Sequence, residues 1–115
     1  MKKALIIQQD VIILKIMERL MQLNSYDCRA IRTISDLNIE DQTQNFDIII
    51  SEILFDGIAP LDFVHQIQEI ILHKTLIIVT NMGQERIRNE IMNTNMVSGF
   101  FAVPFDMDRM QKLIA

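Results

Sequence analysis

Glu52 is the residue of this sequence that is best placed to support chemistry. It stands in residues 46–57, FDIIISEILFDG, where three isoleucines lead to Ser51 and a loop ending in Asp56-Gly57 follows. A short run of wholly apolar, β-branched residues is typical of a strand buried on both faces of a parallel sheet. Such a strand carries its C-terminal residue to the rim where open α/β sheets bind ligands. The function therefore depends on what surrounds the Glu52 carboxylate.

Other reactive side chains lack the spacing of a known kind of site. There is no Ser-His-Asp set, Cys/His ligand cluster or Gly-rich phosphate loop, and the chain has only three glycines. His65 and His73 fall on a predicted third helix about 12 Å apart, which is too far for one shared ion. We interpret both as ordinary histidines on the solvent side. Cys28 has only Arg29 beside it, on the opposite face of a predicted strand, so a reactive thiol is not expected.

Composition favours one compact domain. The chain has 115 residues, of which 50% are hydrophobic, and a single cysteine, which rules out an internal disulfide and fits a reducing compartment. The net charge is −4 and the cations are scattered, so nucleic-acid binding is not expected. No apolar run approaches the roughly 18 residues of a membrane span. Gln8, Gln9 and Asp10 interrupt the first apolar run too early for a signal peptide, and we expect a cytoplasmic protein.

Five apolar runs, each followed by a helical pattern, predict an alternation of strands and helices. The predicted strands are residues 4–7, 28–32 (an edge strand), 47–51, 75–80 and 100–103. The predicted helices cover about 10–24, part of 35–44, 60–73, 81–93 and 106–115. In the first helix the expected buried face consists of Ile13, Ile16, Met17, Leu20 and Leu23. Asp10 and Asp106 are expected N-caps, and Asn81 with Gln84 resembles a capping box.

This alternation predicts a doubly wound α/β fold, with a parallel sheet covered by helices on both faces. We assign residues 1–115 to a single domain. Because the last helix is only about ten residues long, we expect the chain to be a piece of a larger regulator.

Three segments of the chain resemble the receiver domains of bacterial two-component response regulators, and the likeness runs from end to end. FDIIISEILFDG resembles the strand and loop of the phosphoacceptor, LIIVTN the fourth strand with its switch Thr/Ser, and GFFAVPF the fifth strand with its Lys-Pro turn. The resemblance implies a flavodoxin-like sheet of five parallel strands in the order 2-1-3-4-5. It also implies phosphoryl transfer from a histidine kinase to an aspartate, with Mg²⁺ held by an acidic pair.

The sequence departs from the family at the positions that the resemblance makes reactive. Gln8 and Gln9 stand where the acidic pair is usual, Glu52 where the acceptor aspartate is usual, and Val103 where the lysine is usual. Only the two switch positions, Thr80 and Phe100, keep residues that the family uses. The resemblance therefore indicates a degenerate receiver, also called a pseudo-receiver.

The altered pocket predicts neither a metal nor any other cofactor, and no catalytic residue. Mg²⁺ prefers hard oxygen ligands that include carboxylates, and the two amides lack the charge that offsets dehydration of the ion. Phosphoryl transfer depends on positioning and on countering charge, which a site without metal or lysine does poorly. Two interpretations of Glu52 remain: it mimics the phosphorylated state by drawing in Thr80, or it only accepts hydrogen bonds from the Gln8 or Gln9 amide.

Methionines near the end of the chain suggest a docking surface. In the family, the face formed by the fourth helix, fifth strand and fifth helix docks partners or a second copy, and thioethers suit adaptable interfaces. The candidate interface residues are Met82, Met92, Met96, Phe101, Met107 and Met110. We therefore expect a signalling module, not an enzyme, that works through a protein partner. The alternatives are a phosphorelay receiver that accepts phosphate at a site such as Glu52, and a homodimerisation domain.

Overall fold

A computed structural model describes residues 1–81 and 83–115 as a five-stranded parallel sheet with helices on both faces. The strands are β1 (Lys2–Ile7), β2 (Tyr26–Ile31), β3 (Asn45–Ser51), β4 (Leu72–Thr80) and β5 (Gly99–Ala102). The helices are α1 (Val11–Leu23), α2 (Ile39–Thr43), α3 (Pro60–Ile70), α4 (Glu85–Met92) and α5 (Met107–Ile114), with a 3-10 turn at Ile34–Asp36. The strand order is β2-β1-β3-β4-β5, so the predicted fold class and the expected order are confirmed.

The core consists of two layers, one on each face of the sheet. On one face α1 and α5 pack through Ile13, Met17, Met21, Met110 and Ile114 against alternate residues of the strands. On the other face α3 and α4 pack through Phe63, Val64, Ile67 and Ile91. Each such side chain contributes roughly 1.5–3 kcal/mol of hydrophobic stabilisation when it is fully buried.

The edge position predicted for the second strand is confirmed, because β2 pairs only with β1 among the described strands. Its Arg29 side chain forms a two-pronged contact with Asp41 of α2, with Nε to Oδ1 at 3.1 Å and Nη2 to Oδ2 at 3.2 Å. Asp41 also accepts a hydrogen bond from the Asn38 backbone, in the capping box of α2. The short, weakly periodic α2 is thus attached to the sheet edge by an ion pair.

The predicted end of the third helix, the predicted start of the fourth strand and the predicted start of the fourth helix are wrong. The third helix ends at Ile70, and His73 lies in β4, where Leu72, His73 and Thr75 pair with Asn45, Phe46 and Ile48 of β3. Strand pairing with a distant segment therefore overrides the helical pattern there. The capping box expected at Asn81 is absent, since Gln84 is the N-cap of α4 and makes no side-chain cap bond.

The buried face expected for the first helix is also partly wrong. Ile13, Met17 and Met21 face the sheet, whereas Ile16 and Leu23 are exposed. The helix carries two neighbouring apolar stripes, and of the second stripe only Leu20 packs against the core. The sequence pattern could not show which stripe the sheet covers.

No helix among residues 1–81 and 83–115 has the length and apolar character that a transmembrane span requires.

Candidate functional site

The carboxyl ends of β1, β3, β4 and β5 bring the predicted site positions to one rim of the sheet. Ile7 pairs with Ser51, and the backbone N–H of Glu52 donates to the Ile7 carbonyl at 2.8 Å. At the other side of the rim, the N–H of Val103 donates to the Thr80 carbonyl at 2.8 Å. The register therefore places the residues that follow these strands at the same rim of the sheet.

Glu52 is only 6% exposed, and its carboxylate faces its own loop. Oε1 accepts hydrogen bonds from the backbone N–H of Ile53 at 2.7 Å and of Leu54 at 3.1 Å. These are charge-assisted bonds, and they supply local compensation for a carboxylate at the end of a buried strand. Glu52 therefore caps the turn that follows β3.

Gln8 is buried, and its side chain spans the rim. Its Nε2 donates to the Val79 carbonyl at 3.4 Å, and its Oε1 accepts from the Asp10 backbone N–H at 3.1 Å. Since β3 lies between β1 and β4, the amide crosses the end of the strand that carries Glu52. The Gln8 amide is thus bonded to Val79 and Asp10, and the bonds of Glu52 described above come from Ile53 and Leu54, not from a glutamine.

Gln9 does not contribute its side chain to this site. It is exposed, and its backbone carbonyl accepts a hydrogen bond from Nη2 of Arg32 at 2.9 Å. Of the two positions of the degenerate acidic pair, only Gln8 lies inside the rim.

Asp10 is the other carboxylate next to the rim, and it caps α1 as predicted. Oδ1 accepts from the N–H groups of Ile12 at 2.9 Å and Ile13 at 3.1 Å. Oδ2 accepts from Nδ2 of Asn81 at 3.5 Å, which connects the start of α1 to the loop after β4. The hydrogen bond from the Ile13 backbone is the main cause that holds the pKa of Asp10 below its ordinary value. Asp10 therefore directs its charge toward backbone N–H groups.

The residues at the positions that the resemblance assigns to the switch and to the lysine, namely Thr80, Phe100 and Val103, differ in exposure. Thr80 is completely buried at the end of β4. Phe100 is buried among the side chains that pack under α3 and α4, so its ring points inward. Val103 is partly exposed at the rim and brings no charge to it.

The donors at this rim do not resemble a Mg²⁺ site. The three positions that the resemblance makes acidic supply one carboxylate, one buried amide and one amide that points to solvent. Among the described residues, no three His, Cys, Asp or Glu side chains converge on a metal-sized position. Because Oε1 of Glu52 is already held by two backbone donors, the remaining arrangement fits Mg²⁺ poorly.

The proposed interface residues fall into three groups. Met107 is exposed, whereas Met92 and Met96 are half-buried against the core under α4. Met110 is completely buried on the α1 and α5 side of the sheet, so its assignment to a surface is wrong, whereas Phe101 on the same side is 8% exposed. Met110 faces inward because it stands one helical turn after the cap at Asp106, on the apolar stripe that Ile114 continues. Met82 lies outside the described residues.

The predicted docking face between α4, β5 and α5 contains a groove whose basic character was not predicted from the sequence. It has a volume of about 360 Å³, and three exposed cations, Arg88, Arg109 and Lys112, line it beside Phe101 and Leu113. No carboxylate is among the described residues that line it. The spacing of Arg109 and Lys112, one turn apart on α5, is the signal that could have revealed it.

No protein-family model matches the sequence, and no curated protein matches it at a significant level. Solved structures do match. A response regulator from Burkholderia pseudomallei with a phosphorylated aspartic acid, a calcium ion and citrate has a TM-score of 0.80 at 10% identity, over 100% of this chain and 67% of that chain.

Two further structures show the same similarity. The Vibrio cholerae chemotaxis protein CheY4 has a TM-score of 0.76 at 18% identity, over 99% of this chain and 96% of that one. The Francisella response regulator 1452 receiver domain has a TM-score of 0.75 at 15% identity, over 99% and 93%. The chain therefore has the fold of response-regulator receiver domains, as the resemblance in its sequence implied.

Proposed function

We propose that this chain is a receiver-like signalling module that works through protein–protein contact and carries out no phosphoryl transfer. The observation that carries the proposal is the bonding of Glu52. The carboxylate at the acceptor position is turned into its own loop, where Oε1 accepts from Ile53 and Leu54. Beside it, the Gln8 amide crosses the end of β3 where the family would place a metal ligand.

Transfer of a phosphoryl group to Glu52 would meet two obstacles. Turning the carboxylate from its own loop toward a phosphoryl donor would break the two charge-assisted hydrogen bonds of Oε1, each of which contributes roughly 1.5–3 kcal/mol. The transferring group would also lack counter-charge, because Val103 supplies no ammonium group and the donor set supports no Mg²⁺. Both obstacles favour a module that is not an enzyme.

We infer that the module is held in one conformational state. Glu52 is fixed by its own loop, and Phe100 is packed inward. The bonding of Glu52 supports a structural role for its carboxylate. The inward Phe100 is the placement that a mimic of the phosphorylated state would also require. In either case the state would not depend on a kinase.

The basic groove between α4, β5 and α5 is the surface that we propose for the partner. Two copies that met through this groove would bring six cations together, three from each chain, so self-association through it is disfavoured. A protein segment with acidic residues around an apolar anchor would complement Arg88, Arg109 and Lys112. The single free cysteine, Cys28, is consistent with a cytoplasmic setting.

A titration with beryllofluoride and Mg²⁺, followed by amide chemical shifts, tests the loss of phosphoryl chemistry. We expect no saturable shift changes at residues 8, 52, 80 or 103, and no gain in intact mass after incubation with acetyl phosphate. Saturable shifts at these residues, or a mass gain of one phosphoryl group, would instead support a working phosphorelay receiver.

A further inference from the structure

The outer surface of α1 carries an apolar stripe of which only Leu20 also packs against the core. Ile12, Ile16, Leu20 and Leu23, here called the outer α1 stripe, recur at intervals of four, four and three residues. Ile12 is 73% exposed, Ile16 49% and Leu23 67%, while Leu20 is half-buried. Met107 at the start of α5 is 43% exposed and lies next to the stripe.

These side chains form a continuous surface. Ile16, Leu20, Leu23 and Met107 line a groove of about 370 Å³ between α1 and α5, together with the stems of Lys15 and Arg19. Single exposed apolar residues are ordinary in proteins, but a contiguous apolar patch on a small domain commonly marks an interaction surface. The inner stripe of α1, formed by Ile13, Met17 and Met21, already attaches the helix to the sheet. The exposed members of the outer stripe, Ile12, Ile16 and Leu23, are therefore in excess of what the fold needs.

The charges around the stripe indicate what covers it. Lys15 and Arg19 form a basic edge along one side. On the α5 side, Met107 is flanked in the chain by Asp106 and Asp108, both exposed, which form an acidic edge. A surface with opposite charges at its two edges is complementary to itself.

We propose that the outer α1 stripe and Met107 form a twofold-symmetric contact with a second copy of this chain. In a symmetric dimer each surface meets the same surface of the partner. A twofold axis parallel to α1 sets the basic edge of one copy against the acidic edge of the other, whereas an axis perpendicular to α1 sets each edge against itself. The charges thus select the parallel arrangement of the two α1 helices.

The size of the contact sets its strength. The 13 residues of α1 span about 20 Å at 1.5 Å per residue. A helix face of that length buries on the order of 300–400 Å² per copy, which lies below the roughly 800 Å² per partner of a standard stable interface. We therefore expect a dimer that is weaker than one with a standard interface and that dissociates on dilution.

Sedimentation equilibrium and amide chemical shifts, both recorded at protein concentrations between about 20 µM and about 1 mM, test this proposal. We expect the weight-average mass of the wild-type chain to rise from one chain toward two. Concentration-dependent shifts should map to α1 and Met107 and leave Arg88 and Lys112 unchanged. Association should weaken as salt rises from about 50 mM to about 500 mM, because the charged edges are exposed.

Matched variants locate the contact. Ile16→Glu should weaken association at least tenfold, because it places a carboxylate in the centre of the stripe. Ile39→Glu is the control, since Ile39 on α2 is 80% exposed and lies outside the stripe. Arg19→Glu reverses one of the two charges of the basic edge and should weaken association in low salt only. Circular dichroism and the melting temperature show that each variant is folded.

Two results would overturn the proposal. One is a wild-type chain that stays monomeric at the highest concentration, which would leave the stripe to a different partner. The other is association that persists unchanged in folded Ile16→Glu. Neither result bears on the titration with beryllofluoride, so this proposal and the proposed function fail separately.

Discussion

The side-chain amide of Gln8 donates a hydrogen bond to the backbone carbonyl of Val79 at 3.4 Å, and this bond links the end of β1 to β4 across the end of β3. The same side chain accepts from the Asp10 N–H and so also positions the residue that caps α1. Gln8 therefore braces three neighbouring segments of the rim. The resemblance in the sequence assigns this position to the acidic pair of receiver domains.

Replacing this brace should cost stability. Gln8→Asp removes the donor to Val79 and places a second buried carboxylate beside Glu52, so the free energy of unfolding should fall by about 1–3 kcal/mol. Urea denaturation measures the change. Gln9→Asp is the matched control, because the Gln9 side chain is exposed, and its effect should stay within about 0.5 kcal/mol. Equal effects of the two variants would contradict the bracing role.

Placing three carboxylates and one lysine at the rim should produce Mg²⁺ binding. The combined substitutions Gln8→Asp, Gln9→Asp, Glu52→Asp and Val103→Lys supply three carboxylates and an ammonium group at the rim. We expect Mg²⁺ to raise the melting temperature of this variant and to leave that of the wild type unchanged. At about 100 times its dissociation constant, the ion would add about 2.7 kcal/mol.

The control for this restoration keeps Gln8 and carries the other three substitutions. It should respond to Mg²⁺ far less, because only Gln8 of the pair points into the site. If the full variant showed no response to Mg²⁺, the scaffold itself, and not its lost charges, would be what prevents binding.

Truncation of Met110 should lower the free energy of unfolding far more than truncation of Met107, although both residues lie in α5. Met110 is completely buried under the sheet, so Met110→Ala should lower the free energy of unfolding by roughly 2–5 kcal/mol. Met107→Ala, at an exposed position, should change it by less than about 0.5 kcal/mol. Thermal or urea unfolding distinguishes the two. A small effect of Met110→Ala would mean that α5 is loosely packed on the sheet.

The ion pair between Arg29 and Asp41 should make stability depend on acid pH. Burial alone would raise the pKa of Asp41, but the hydrogen bonds from Arg29 and the Asn38 backbone outweigh it and hold the pKa below its ordinary value. A carboxyl whose pKa is lowered by folding adds stability above its unfolded pKa of about 3.9 and loses it as the pH falls through the folded pKa.

Asp41→Asn should therefore reduce stability at neutral pH, by about 1–2 kcal/mol, because Arg29 is partly exposed and its contribution is screened. The difference from the wild type should shrink below about pH 4. Unfolding by urea at several pH values measures both effects. Glu40→Gln, at an exposed neighbouring position, should show a much smaller difference throughout.

The sequence predicted the sheet well, because β1, β3, β4 and β5 contain short apolar runs that are buried, while β2 alternates as an edge strand does. It failed at His73, where the pairing of Phe46 with His73 extends β4 into residues that carry the apolar spacing of a helix. It failed at Ile16 and Leu23 for another reason. Two apolar stripes lie side by side on α1, and periodicity alone does not select the inner one.

The sequence indicated which residues lie at the rim, but it did not indicate the hydrogen bonds that their side chains form. Glu52, Gln8, Thr80 and Val103 meet at the rim because parallel strands end there. The Glu52 carboxylate instead folds back to Ile53 and Leu54, a choice of side-chain rotamer and loop conformation that no spacing rule contains. The exposure of the Gln9 side chain was not predicted either, although successive residues of an extended segment point to opposite sides.

The Gln8 amide that spans the end of β3 has a further consequence for how the stability of the fold depends on cations. Several carboxylates crowded at one rim repel one another, and such a domain gains stability when a cation neutralises them. With Gln8 neutral and bonded to Val79, this chain avoids that electrostatic frustration from the start. Its folded population should therefore be indifferent to chelators and to the magnesium level of the cell.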